Sequence, residues 1–117
     1  MINIIEKSKD FDKVDEYLMT VGKGVTSIKD VEDETHIMVD GYMIFEDIKD
    51  SGESIEVLSV ITPDKEVYAS QSQTFKRSLL DIINIMGDGS APIVKISGTT
   101  KAGRPYVDCK LDIERLR

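Results

Sequence analysis

The sequence predicts a mainly β protein: a small barrel of five antiparallel strands, with one helix between strands three and four and a short helix at the N-terminus. The 117 residues are 40% hydrophobic and 32% charged, which is typical of one compact domain spanning residues 1–117. Apolar and polar residues alternate over several short segments, as in half-buried strands. A further segment has instead the 3.6-residue period of an amphipathic helix.

The short N-terminal helix is predicted from a cap, an apolar face and a stop. Asp10 is a residue type that commonly caps helices. Three apolar residues after it share one helical face: Phe11, Val14 and Leu18. Gly22 then ends the helical pattern.

The first three strands follow. Residues 35–39 and 42–45 are rich in β-branched and aromatic residues and predict one long or bent strand. Residues 54–61 predict the second strand and residues 66–71 the third. Residues 62–65 between them read Thr-Pro-Asp-Lys, which favours a tight turn because Pro presets φ and Asp caps the turn. Strands two and three therefore form a predicted hairpin.

The second helix and the last two strands complete the barrel. Apolar residues at helical spacing predict a helix over residues 74–86, with Gly87 as its stop. Residues 93–98 predict the fourth strand and residues 106–113 the fifth. Alternation in the fifth strand places one set inward and the other outward. The inward set is Val107, Cys109, Leu111 and Ile113, and the outward set is Tyr106, Asp108, Lys110 and Asp112.

This order of elements is that of the OB-fold. It is a five-stranded barrel with a helix between strands three and four, whose face around strands two and three binds oligonucleotides or oligosaccharides together with the flanking loops. The fold alone does not assign a ligand.

The charge is unevenly distributed along the chain. The net charge is −7, which by itself disfavours a partner rich in phosphates. Residues 1–66 contain 17 acidic and 7 basic residues, whereas residues 67–117 contain 5 acidic and 8 basic residues. This asymmetry is consistent with an acidic, solubilising part joined to a part that meets an anion. Uneven placement of solvated charge is the alternative.

Candidate catalytic and metal-ligating residues are few. One cysteine and one histidine cannot build a cysteine–histidine zinc site or an intramolecular disulfide. Cys109 is predicted to point inward and His36 lies far from it in sequence, so no nucleophile stands beside a base. We therefore expect Cys109 to be a small buried apolar residue and His36 to be a structural or surface histidine, and we expect no enzymatic activity and no cofactor.

Two acidic clusters are the remaining candidate cation sites. They lie at residues 30–34 and 46–53, and several carboxylates together can attract Ca²⁺ or Mg²⁺. Lys49 occupies a position where the EF-hand calcium loop needs a ligand. Solvated acidic loops are the favoured interpretation.

The most informative segment is the loop between strands four and five, residues 99–105. It contains Lys101 and Arg104, and the outward-facing Tyr106 and Lys110 follow it. Cations for phosphates beside an aromatic face for bases are typical of proteins that bind single-stranded nucleic acid. An ordinary exposed hairpin would carry similar residues, and that alternative stays open.

A second patch is predicted at the end of strand three and the start of the second helix. Ser70 and Ser72 alternate there, and Lys76 and Arg77 follow, so a phosphate near the helix start would also meet unpaired N–H groups. The alternatives are a polar edge strand and an ion pair between Arg77 and Asp81. The aromatic candidates for base stacking are Tyr42, Phe45, Tyr68 and Tyr106.

Two short segments of the sequence resemble those of a known protein family. Residues 72–81 (SQTFKRSLLD) and 95–106 (KISGTTKAGRPY) are similar to small single-stranded DNA-binding proteins of tailed phages and prophages of Gram-positive bacteria. The resemblance covers roughly the C-terminal half of the chain. It implies an OB-like fold, binding of unpaired DNA during phage replication or recombination, and self-association. It also implies that Lys101, Arg104 and Tyr106 belong to a DNA-binding hairpin, and it assigns Phe75, Lys76 and Arg77 to a binding region around the helix.

The sequence therefore predicts a non-enzymatic protein that binds single-stranded DNA with little sequence preference. Its expected partners are single-stranded DNA, further copies of the chain in a homodimer or higher oligomer, and replication or recombination proteins. The alternative is a protein-interaction module, an adaptor or inhibitor that uses the acidic N-terminal half. A cytoplasmic location without membrane contact is expected, in the host cell if the chain is phage-encoded. The reasons are that Glu6 interrupts the apolar run a signal peptide needs, and that no segment approaches the ~18 apolar residues of a membrane span.

Overall fold

The computed structural model describes residues 1–117 and is mainly β, with eight strands in two sheets and two α-helices. The strands are β1 (Ile2–Lys7), β2 (Thr26–Ser27), β3 (His36–Val39), β4 (Gly41–Ile48), β5 (Ser54–Ile61), β6 (Val67–Ser70), β7 (Ala91–Thr99) and β8 (Pro105–Leu111). The helices are α1 (Lys13–Thr20) and α2 (Gln73–Met86), and short 3₁₀ turns cover Ile28–Asp30 and Glu114–Leu116. Neither α-helix has the length and apolar character needed to cross a membrane.

A bent segment at residues 36–48 belongs to both sheets. The larger sheet has the order β1-β4-β5-β6-β2 and the smaller one has the order β3-β7-β8. Only Asp40 separates β3 from β4, so the chain leaves one sheet and enters the other at that residue. The predicted bent strand is therefore found as two strands in different sheets. The sheets do not close into a barrel through backbone pairing, so the mainly β class is confirmed while the closed five-stranded barrel is not observed.

The predicted hairpin and second helix have the expected local chemistry. Strands β5 and β6 pair antiparallel, and Lys65 adopts a φ of 69° in the turn while its N–H donates to the Thr62 carbonyl at 2.9 Å. Ser72 caps α2 because its Oγ accepts from the Phe75 N–H at 3.1 Å. Gly87 ends the helix with a φ of 87°, a left-handed conformation that glycine adopts without strain.

Two separate cores lie on opposite faces of the larger sheet. The main core fills the space between the sheets and α2, and its fully buried members include Leu58, Leu79 and Ile93. On the other face, Met19 of α1 and the preceding Phe11 pack with residues of the sheet in the second core. Helix α1 therefore covers part of the outer face of β5 and β6.

The N-terminal region differs from the sequence-based prediction. Asp12, not Asp10, caps α1, because its Oδ1 accepts from the Asp15 N–H at 2.8 Å. Strand β1 was not predicted, because a bulge between Ile4 and Glu6 interrupts its alternation and most of its side chains are exposed at the sheet edge. The two-residue strand β2, which pairs parallel with β6, is too short to give a periodic signal.

The fifth predicted strand ends earlier than expected. Strand β8 stops at Leu111, so the alternation predicted for the next two residues is wrong. Asp112 is 5% exposed and Ile113 is 53% exposed, the reverse of the prediction. The cause is a polar contact, because Asp112 Oδ2 lies 2.7 Å from His36 Nδ1.

Candidate nucleic-acid interface

The loop between β7 and β8 is an ordered turn that presents two cations. The Thr100 N–H donates to the Arg104 carbonyl at 2.8 Å, and the Arg104 N–H donates to Thr100 Oγ1 at 3.1 Å. Gly103 adopts a φ of 84°, which allows the chain to reverse within the loop. Lys101 and Arg104 are both exposed, and neither forms an ion pair within 4.0 Å. Both side chains are therefore available to an anion.

Tyr106 lies directly over a glycine on the neighbouring strand. It pairs with Gly98, and a Cβ atom at that glycine would lie 2.5 Å from Tyr106 Oη and 2.6 Å from Cζ. The ring therefore occupies the space of the missing side chain, and Tyr106 keeps 38% of its surface exposed. Lys110 points to the same side of β8, is exposed and has no ion-pair partner.

A polar cleft of about 680 Å³ runs along the base of this hairpin. It lies between β8, the end of β6 and the segment around β2, and Ser72 Oγ donates to the Val107 carbonyl at 3.4 Å across it. Its lining is Ser27, Lys29, Asp30, Ser70, Gln71, Ser72, Lys95, Ser97, Pro105, Tyr106 and Val107. The cleft is thus rich in hydroxyl groups that can exchange hydrogen bonds with bases or phosphates.

An acidic segment is fixed beside the cleft. We call residues 30–34 the acidic strap; it contains Asp30, Glu32, Asp33 and Glu34. Lys95 is 4% exposed, and its Nζ donates to the Val31 carbonyl at 2.7 Å and to Asp33 Oδ1 at 2.8 Å. Ser97 Oγ donates to Asp33 Oδ2 at 2.6 Å. The hydrogen bonds from Lys95 and Ser97 lower the pKa of Asp33.

The two predicted cations on α2 differ in availability. Lys76 Nζ is paired with Glu56 Oε2 on β5, and this hydrogen bond lowers the pKa of Glu56. Arg77 is exposed and forms no ion pair, so the alternative contact with Asp81 is absent. Helix α2 packs along β8, which places Arg77 on an element next to the hairpin.

Two aromatic residues of the predicted site are turned into the protein. Phe75 is 1% exposed in the main core, so its assignment to a binding surface is wrong. The ring lies on the apolar face of α2, whose periodicity predicted the helix, and that face packs into the main core. Tyr68 packs against the main core, and its hydroxyl donates to Glu66 Oε2 at 3.0 Å. Burial, together with that hydrogen bond, raises the pKa of Tyr68.

Tyr106 is the exposed aromatic among the candidates for stacking. Tyr42 is 9% exposed and its hydroxyl donates to Glu6, while Phe45 is 4% exposed in the second core. Burial and the contact with Glu6 raise the pKa of Tyr42 to about 12. A stacking platform near the hairpin therefore depends on one ring.

The cysteine and the histidine lie in different environments. Burial raises the pKa of the Cys109 thiol to about 12, which leaves it protonated at neutral pH. His36 contacts Asp112, and that hydrogen bond lowers the pKa of the Asp112 carboxyl. No three His, Cys, Asp or Glu side chains are grouped so that they could hold a metal ion together.

Sequence reasoning missed two residues that shape the candidate interface, Lys95 and Gly98. Lys95 stands between Ile93 and Ser97 in the inward-facing register of β7, and a lysine at such a position signals a buried ion pair. Gly98 opposite an aromatic residue signals a ring lying over the strand. Comparison with known proteins finds no matching family model, no matching curated protein and no matching solved structure.

Proposed function

We propose that the chain is a non-enzymatic protein that binds single-stranded DNA largely independently of sequence, and that it acts in phage or mobile-element DNA replication or recombination. The observation that carries the proposal is the β7–β8 hairpin. It combines two cations without ion pairs, Lys101 and Arg104, with the exposed ring of Tyr106. The place in replication or recombination rests on the resemblance of the C-terminal half to phage proteins.

The chemistry of binding follows from these groups. Cations that neutralise phosphates release condensed counterions, so affinity falls as the salt concentration rises. A base stacked on an aromatic ring contributes about 1–3 kcal/mol and needs no particular base. In this proposal Lys101, Arg104, Lys110 and Arg77 contact phosphates while Tyr106 receives a base. Lys76, already paired with Glu56, contributes less.

We also propose that the two sheets form an open variant of the OB arrangement. Two features support this proposal: the bent segment shared between the sheets, and the helix that precedes β7. In the OB-fold the ligand crosses the face around strands two and three. Here the corresponding outer face of β5 and β6 is partly covered by α1. The proposed path of the DNA therefore runs along the hairpin and the polar cleft.

Fluorescence anisotropy with a labelled oligo-dT, at two salt concentrations, tests the proposal. We expect the wild-type chain to bind the single strand and to lose affinity steeply with salt. The double variant Lys101→Ala/Arg104→Ala should flatten the dependence of log affinity on log salt by about 1.4, since each phosphate contact on a single strand contributes about 0.7.

A matched control removes two exposed cations from another region, Lys13→Ala/Lys23→Ala. This control has the same net charge as the hairpin variant but retains Lys101 and Arg104. It should therefore keep the wild-type dependence of affinity on salt. Equal slopes for the hairpin variant and the control would refute the role of the hairpin. Absence of any binding to oligo-dT at low salt would refute the function itself.

The alternative function, an adaptor or inhibitor that uses the acidic half, is favoured by one observation. The acidic strap is held in a defined position by Lys95 and Ser97, as a contact surface for a cationic protein would be. Under this alternative, neutralising the strap would abolish the activity, whereas binding of DNA would survive the change.

A further inference from the structure

The ring of Tyr106 and the polar cleft lie on opposite faces of the smaller sheet. Side chains of paired residues point to the same side of a sheet, so Tyr106 and its partner Gly98 share one face. Ser97, which lines the cleft, shares the other face with Ile93 and Cys109 of the main core. We call the first side the Tyr106 face; its residues on β7 and β8 are Val94, Ile96, Gly98, Tyr106, Asp108 and Lys110.

The middle of the Tyr106 face is an open apolar surface. Helix α2 packs on the opposite side of the sheet, in the main core. Ile96 belongs to neither core and is only partly buried. It lies two residues from Gly98 along β7, a distance of about 7 Å. The apolar surface therefore begins beside the Tyr106 ring and continues along β7.

An unpaired cation lies at the far end of this surface. Lys110 is exposed and forms no ion pair within 4.0 Å. It stands four residues beyond Tyr106 on the same face of β8, about 13 Å along the strand. The ammonium group is therefore free to neutralise a phosphate of a strand whose bases lie over the ring and the apolar surface.

Asp108, the carboxylate on this face of β8, is turned to the edge of the strand. Its Oδ1 accepts from the Cys109 N–H at 2.8 Å. That N–H points away from β7, because Lys95, the register partner of Cys109, donates its own N–H to the Thr35 carbonyl on the other side. The carboxylate is therefore held toward the free edge of β8 and away from Ile96.

We infer that a single strand bound at the hairpin continues past Tyr106 over the Tyr106 face, with the next base on Ile96 and a phosphate at Lys110. The inference rests on the proposed function and extends the path of the DNA beyond the hairpin, on the side opposite the cleft. Unpaired bases expose flat faces that can lie on a ring or on an apolar side chain. Continuity with the hairpin and the unpaired charge of Lys110 both favour this occupant.

The first test adds a second ring where the next base is placed. Ile96→Tyr should bind oligo-dT about fivefold more tightly than the wild type in anisotropy titrations, a gain of about 1 kcal/mol. The matched control is Ile85→Tyr, at a residue of α2 that is 81% exposed. Stacking acts only at contact, so the control should bind within about twofold of the wild type.

The second test adds a cation between the ring and Lys110. Asp108→Lys should tighten binding and steepen the dependence of log affinity on log salt by about 0.7, the contribution of one phosphate contact on a single strand. The control Asp50→Lys changes the exposed turn between β4 and β5. Each variant removes one negative charge and adds one positive charge, which takes the net charge from −7 to −5. The control should keep the wild-type salt dependence.

The outcomes separate the inference from the proposed function. Gains confined to Ile96→Tyr and Asp108→Lys would support a strand crossing the Tyr106 face. If both variants bind oligo-dT as their controls do, no base or phosphate lies there, and the inference is overturned while the proposed function stands. If the wild type binds no oligo-dT at low salt, the proposed function fails together with the inference.

Discussion

The contact between Tyr106 and Gly98 allows the proposed stacking platform to be moved without altering the ring itself. In Gly98→Ala the new Cβ would lie 2.5 Å from Tyr106 Oη and 2.6 Å from Cζ. Carbon atoms in contact prefer about 3.5–4.0 Å, so the ring must move by about 1 Å or more. Because Tyr106 is 38% exposed, its side chain can swing toward solvent, and we expect stability to change by less than about 1 kcal/mol.

The expected loss of binding follows from the value of one stacked base. Tyr106→Ala should remove about 1–3 kcal/mol, which is about a 5- to 150-fold loss of affinity for oligo-dT. We expect Gly98→Ala to weaken binding at least about threefold because the new methyl group displaces the Tyr106 ring from its position over residue 98. If the glycine acts only through the tyrosine, the double variant should bind as Tyr106→Ala does, within about twofold.

Anisotropy titrations of the two single variants and the double variant measure this coupling, with Gly24→Ala as the control. A Cβ at Gly24 meets no atom within 4 Å, so this variant should bind like the wild type. Strictly additive losses from Gly98→Ala and Tyr106→Ala would refute the argument, because the glycine would then act on binding without the ring. Wild-type affinity in Tyr106→Ala would remove the stacking platform altogether.

Three further expectations follow from the structure. Arg77→Ala should weaken binding of oligo-dT and reduce its salt dependence, whereas Lys76→Ala, whose cation is already paired with Glu56, should have the smaller effect in the same titration. Phe75→Ala should lower the free energy of unfolding by about 3–5 kcal/mol in urea titrations, because the residue is 1% exposed; a cost below about 1 kcal/mol would contradict its place in the core. Hydrogen bonds lower the pKa of Asp33, so their stabilisation is present above the unfolded pKa of about 3.9 and is lost as the pH falls through the folded pKa. Asp33→Asn should therefore flatten the loss of thermal stability below about pH 4, as melts from pH 7 to pH 2 would measure.

The elements predicted best from sequence are those whose local chemistry and burial agree. Residues 54–61 and the helix ending at Gly87 combine apolar periodicity with clear turn or stop residues, and the structure reproduces them closely. Strand β1 escapes prediction because its bulge removes the period of two, and its pairing with β4 depends on residues about 40 positions away. Whether the strands close into a barrel likewise depends on pairing between segments distant in sequence, which no local pattern encodes.

The candidate site shows the same division between local and non-local information. Alternation along β8 correctly places Tyr106 and Lys110 outward, since that signal is local to the strand. The resemblance assigns Phe75 to a binding region although the helical period of residues 74–86 places it on the apolar face, because the similarity of a short segment does not state which of its residues are buried. The role of Lys95 arises from Asp33, 62 positions earlier in the chain, and becomes visible only once β7 and the strap are adjacent.

The net charge of −7 disfavours an anionic partner only if the whole surface is evenly acidic, and in the fold two cations of the basic half pair with carboxylates of the acidic half. Lys76 and Lys95 of the basic half are paired with Glu56 and Asp33 of the acidic half, so these two cations are neutralised locally. The cations left unpaired on and beside the hairpin then define a small basic surface within an acidic molecule. Distant carboxylates are screened beyond about 10 Å at 0.1 M salt, whereas cations in contact with phosphate are not. If the chain binds DNA at that surface as proposed, the salt dependence of binding reports the few contacts at the hairpin and not the charge of the whole chain.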